Sequence, residues 1–177
     1  MTIPASTDVA ARLAAGTLDG TWTVESDASS VTLKTRSVWG LAKVNGVFSD
    51  VRGAATVLGD VVTGQILVGS ASITTKNARR DKHLKSAEIL SSSAYPDIVL
   101  ALHAVQPTVT GLTANGTLTV RGQTRPISFP ATITGESTIT VTARLVVNRA
   151  EFGVDWNQFG MASMANELTV TAVFTRS

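Results

Sequence analysis

From Thr21 onward, apolar and polar residues alternate with a period of two, the spacing of a strand whose faces see different surroundings. The pattern is clearest near the end of the chain. Ile139, Val141, Ala143, Leu145 and Val147 fall on one face, and Thr138, Thr140, Thr142 and Arg144 on the other. Leu168, Val170, Ala172 and Phe174 repeat this against Thr169, Thr171 and Thr175. Upstream, Trp22 and Val24 alternate, and Asp27-Ala28-Ser29-Ser30 is read as a turn into Val31 and Leu33. Gly40, Asn45-Gly46, Gly53, Gly59-Asp60 and Gly64 punctuate the strands that follow, and Arg121-Gly122 and Gly135 punctuate later ones. Short, evenly spaced strands with turn signals between them predict an all-β protein. Pattern alone leaves two architectures open, a sandwich with interdigitated faces and a closed barrel.

One stretch breaks the alternation. Ser72 to Leu100 carries Lys76, Arg79, Arg80, Asp81, Lys82 and Lys85, then Leu84, Ile89 and Leu90, and stops at Tyr95-Pro96. It is predicted as a short helical insert at about 77–91, lying over one end of the sheet as a lid or rim. Asn77 is placed to cap its first turn and Ser86 a second, and Pro96 moves Tyr95 out of the helical region before the next strand.

Composition narrows the alternatives. The chain has 177 residues, 44% hydrophobic and 16% charged, enough for one domain with a core and without an evident linker. The expected division is an N-terminal arm or short helix over 1–19 and a single domain over 20–177. A net charge of +2 is too small for a nucleic-acid footprint. With no cysteine there is no disulfide framework, thiol nucleophile or Cys-based zinc site. The Ala-rich segment from Val9 to Ala15 is preceded by Asp8 and split by Arg12, unlike a secretory core, so it is read as a surface helix or frayed arm. No stretch reaches membrane-spanning length. The expected location is the cytoplasm.

The inward faces consist mostly of Val, Ile, Ala, Leu, Gly and Thr, and aromatic residues are 5% of the chain. If eight or more strands close, such residues leave the interior unfilled, and a dry apolar space accepts an apolar ligand.

Four blocks in order carry a resemblance. Ser72-Ile73-Thr74-Thr75, followed by Arg80-Asp81-Lys82-His83-Leu84-Lys85-Ser86 and Tyr95-Pro96, is the most specific. Gly40 to Phe48, Gly116 to Pro126 and Arg149-Ala150-Glu151-Phe152-Gly153-Val154 support it. From about Thr21 to its end, the chain resembles the YceI-like family of lipocalin-like bacterial proteins. The resemblance implies an extended antiparallel barrel whose apolar tunnel holds an amphiphilic, polyisoprenoid-type lipid for carriage, storage or sequestration. It also suggests a homodimer. Where many relatives carry histidines, this chain has Ala28-Ser29 and Ser37-Val38.

Trp39, Phe48, Phe129, Phe152, Trp156 and Phe159 are the aromatic candidates for lining or closing such a tunnel. The loop from Trp156 to Met164, with two adaptable methionines, is a candidate gate. Arg79, Arg80 and His83 are candidates to meet a ligand headgroup at the rim, since guanidinium groups bind diphosphate or carboxylate bidentately. Asp81 and Arg149 are expected to be structural, Arg149 in an ion pair with Asp81 or Glu151. The expected ligand is a long-chain isoprenoid or fatty lipid, with no metal or redox cofactor, no nucleic acid and no enzymatic activity. The alternative is a hydrolase or isomerase of a lipid-like substrate on the same barrel, with Asp81 orienting His83 as a general base.

Overall fold

The computed structural model describes residues 5–37, 42–109, 111–154 and 165–177. Its strands are β1 (Gly20–Val24), β2 (Ser30–Ser37), β3 (Ala42–Phe48), β4 (Val51–Leu58), β5 (Val61–Gly69) and β6 (Ile73–Thr74). They continue as β7 (Asp97–Pro107), β8 (Leu112–Val120), β9 (Gln123–Thr134), β10 (Thr138–Asn148) and β11 (Ala165–Arg176). Among the described residues two α-helices accompany them, α1 (Ala5–Ala14) and α2 (Ala78–Leu84). All pairings are antiparallel, and β1 pairs with both β4 and β11, so the sheet closes on itself. The closed barrel settles the choice between the two architectures.

Eleven strands occupy eight positions, because three positions hold a strand broken in two. β1 and β2 lie end to end along β11: Val24 faces Phe174, and Ser30 faces Thr171. Asp27 to Ser30 is therefore a kink within one long strand, and not the chain reversal predicted from its turn-forming residues. A kink leaves backbone groups of the neighbouring strand without ladder partners, and burial makes that costly. The side chain of Ser29 answers one of them, accepting from the Val173 amide at 2.9 Å while donating to the Glu25 carbonyl at 2.7 Å. The next breaks use the same device. Ser72 Oγ accepts from the Asp50 amide between β3 and β4, and fully buried Ser70 donates to the Tyr95 carbonyl between β5 and β6.

The hairpin from β8 to β9 turns on Arg121 and Gly122, both with positive φ, the geometry of a type I′ turn. A Cβ at Gly122 would approach the Tyr95 ring to 2.9 Å, which reserves the position for glycine on a second ground.

Because consecutive strands alternate direction, their connections alternate between the two barrel ends. The β4–β5, β7–β8 and β9–β10 turns share one end with α1. The β8–β9 turn, α2 and the segment after β10 share the other. The Ala-rich segment is helical as expected, but it is not on the surface: Val9 and Leu13 are 1% and 5% exposed and join the main core. Spaced i, i+4, they lie on one face. Gly16, at φ +72, ends the helix with bonds from its own amide to Leu13 and from the Thr17 amide to Arg12, a Schellman closure. No described helix is long and apolar enough to cross a membrane.

Candidate functional site: a tunnel with an apolar floor and a basic mouth

The barrel encloses a cavity of about 710 Å³. The predicted inward faces form its wall: Ile139, Val141, Ala143, Leu145 and Val147 of β10, and Leu168, Val170, Ala172 and Phe174 of β11, all line it. Room remains because small residues meet across strand pairs. Ala55 faces Gly64, and Ala131 faces Ala143, so at these levels the wall contributes a methyl group or nothing. Eight strands make an interior that side chains can just fill or that holds one small ligand; these residues leave it unfilled.

At the α1 end the cavity stops on Val9, Leu13, Leu18 and Trp22. The floor is tethered on several sides. The Trp22 indole donates to the Leu18 carbonyl at 2.8 Å, and the Arg176 guanidinium stacks 4.6 Å from the centre of the Trp22 ring. Arg12 donates to the Gly135 carbonyl at 2.7 Å, Arg176 to the Thr17 carbonyl at 2.6 Å, and the Gly59 amide to Asp19 at 2.8 Å.

At the opposite end the lining turns polar, with Thr35, Asn77, Arg79, Arg80, His83, Arg149 and Asn166. Asn77 caps α2 as expected, accepting from the Arg80 amide at 3.0 Å. Asp81 then anchors the helix to the preceding strand. It accepts from the Thr75 amide at 2.8 Å and the Thr75 hydroxyl at 2.5 Å, and Thr74 Oγ1 adds a third bond. The hydroxyl of Thr75 in turn accepts from Arg80 Nε at 2.8 Å. These donors, led by the Thr75 hydroxyl, hold the Asp81 carboxyl below its ordinary pKa. Ser86 starts no second helix. Its hydroxyl donates to the His83 carbonyl, closing α2, and turns run from there to Tyr95.

Arg121, read from sequence only as part of a turn, joins two pieces of this end. It donates to the carbonyls of Gly153 and Ala87 at 3.0 and 2.7 Å. Arg149–Phe152 is a 3₁₀ turn closed by Gly153, and Arg149 donates to the Val154 carbonyl at 2.9 Å.

The structure brings together most of the predicted site. Phe48, Phe129 and Phe152 are buried and line the cavity, and Arg79, Arg80 and His83 stand at its mouth. Arg149, expected to be purely structural, also lines it. Trp39, Trp156 and Phe159, with the candidate gate, lie outside the described residues. Asp81 and His83 do not form the pair that the enzymatic alternative requires: Asp81 is engaged by Thr74 and Thr75 in a structural role, and His83 Nε2 meets Glu88 at 2.8 Å. His103 is exposed at a bulge in β7, away from both. Among the described residues, no cluster of His, Asp and Glu has the makings of a metal site. Sequence reasoning missed the floor residues Val9, Leu13, Leu18 and Trp22, and the polar Thr35, Asn77 and Asn166.

Comparison with known proteins agrees with this architecture. The chain is similar to BcnA of Burkholderia cenocepacia, with a TM-score of 0.76 at 16% identity over 85% of this chain and 98% of that one. It is also similar to a polyisoprenoid binding domain from Saccharophagus degradans, with a TM-score of 0.73 at 12% identity over 88% and 98%. In sequence, the YceI protein of an Escherichia coli strain is 32% identical over 71 residues, 40% of this chain. That match spans 37% of the length of the curated relative. The YceI-like domain model matches residues 22–175, nearly the whole barrel, and the chain therefore belongs to the YceI-like domain family.

Proposed function

We propose that this protein binds one long-chain amphiphilic lipid, of polyisoprenoid or similar type, with the tail in the tunnel and the polar head at the mouth. The observation that carries this reading is the distribution of polarity: a wall and floor of apolar side chains, with the charged lining residues confined to the α2 end. An amphiphile is the ligand with that same division. Burial of each methylene contributes about 0.8 kcal/mol, so the tail alone can supply most of the affinity. Arg79 is exposed and, among the described residues, has no polar partner, which leaves it available to a phosphate or carboxylate head. The similarity to a domain described as polyisoprenoid-binding supports the same ligand class.

Carriage, storage or sequestration suits this geometry better than catalysis. Asp81 and His83, the residues from which a general base would be assembled, are each committed to a different partner. Assembly as a homodimer rests on the family likeness, and sedimentation would measure it.

Organic extraction of the purified protein followed by mass spectrometry tests the reading, with one lipid per chain expected. Addition of a prenyl alcohol to extracted protein should raise its melting temperature through linkage. Ala143→Trp, which places a large side chain in the lumen, should abolish that rise. Absence of both co-purified lipid and stabilisation by added prenyl alcohol would sink the reading.

A further inference from the structure

We infer that α1 is the measuring end of the tunnel, and that Val9 and Leu13 set the longest tail the protein accepts. This rests on the lipid-binding reading above and adds to it an element outside the residues shared with the family, since the family match begins at Trp22 and α1 ends at Ala14. A helix lying on the barrel surface would leave the lumen unchanged. This one does not: its side chains Val9 and Leu13 are buried and line the cavity together with Leu18 and Trp22.

Three tethers keep the segment from swinging aside. Arg12 holds it to the β9–β10 turn, Thr17 to the end of β11, and Asp19 to the β4–β5 turn. A tail whose head is retained at the basic mouth extends toward this floor and must stop there. Each methylene short of it tightens binding about fourfold. The first one past it meets packed side chains, which have no room to yield. The family's barrel would then supply the tube, and the segment before it the stop.

The test uses the full chain, freed of lipid, with unbranched primary alcohols from dodecanol to tetracosanol. Dissociation constants are read by displacement of a fluorescent alkyl probe. For the unaltered protein, affinity should climb with length and then break off. Leu13→Ala should move the break to alcohols longer by about two carbons, in proportion to the methylenes removed, and Leu13→Phe should move it shorter. If Leu13→Ala loses its cooperative melt, Val9→Ala takes its place, with a smaller shift in the same direction. A break at one unchanged length in every variant, or a climb through the whole series without a break, overturns the inference while leaving the tunnel reading intact. Failure of every alcohol to bind to any variant overturns both.

Discussion

The two ends of the barrel solve the same geometric problem with opposite chemistry. At the floor, apolar side chains of α1 enter the lumen, and polar groups act from outside it: Arg12, Asp19 and Arg176 tie the segment to the surrounding turns. At the mouth, polar side chains face the lumen themselves, and α2 is held by a small network around Thr75 and Asp81. The difference teaches what each end can do. A plug built from buried hydrophobic surface is expensive to open, because opening exposes that surface to water. A rim held by hydrogen bonds among partly exposed groups exchanges them for water at much lower cost. On the proposed lipid-binding reading, entry and exit of the ligand would use the α2 end.

The strongest way to break this contrast is to empty the floor. Trp22→Ala removes a buried indole, its bond to Leu18 and the stack with Arg176, and should destabilise the whole barrel by about 3–5 kcal/mol, read from urea unfolding. An equal loss from a mouth substitution would erase the distinction. Asp81→Ala supplies that partner experiment. It leaves the amide and hydroxyl of Thr75, a residue 8% exposed, without their acceptor, at a cost of about 1–3 kcal/mol. The loss should stay local, appearing as faster amide exchange around Thr75 and α2, while the global midpoint moves less than in Trp22→Ala.

Acid sharpens the same point. The Asp81 pKa is lowered in the folded protein, so its contribution is fully present above the ordinary carboxylate value of about 3.9 and is lost as pH falls through the lowered one. Amide exchange around α2 should accelerate in that acid window before the floor responds. In Asp81→Asn the acceleration should be absent, the segment being equally weakened at all pH values. The smallest expected effect belongs to Arg79→Ala. Stability should stay within about 0.5 kcal/mol of the unaltered protein. Binding of a long-chain carboxylate should weaken by a fewfold while that of the matching alcohol stays constant, as befits an exposed charge.

The local pattern was legible wherever one face of a strand met the lumen and the other met water. β10 and β11 are legible residue by residue because their alternation runs from Thr138 to Leu145 and from Leu168 to Ala172 without a break. The rim was legible for a different reason: Arg79, Arg80 and His83 sit in the one charged interruption of a β pattern. What escaped was long-range. Ser29, Ser70 and Ser72 look like turn residues, and a serine that substitutes for a missing ladder bond is recognisable only once the neighbouring strand is known. Val9 and Leu13 make too narrow an apolar stripe to announce burial on their own.

The alternation of side chains, the small size of the inward residues and the position of the charged insert were thus determined by the sequence alone, because each depends on near neighbours along the chain. Tertiary structure decided that the sheet closes, that three of its strands kink without turning back, and that an alanine-rich helix enters the lumen. Closure pairs β1 with β11, at opposite ends of the chain, and creates an open end that only a buried face can seal. No local pattern carries that information, since the surface that needs covering does not exist until the barrel has formed.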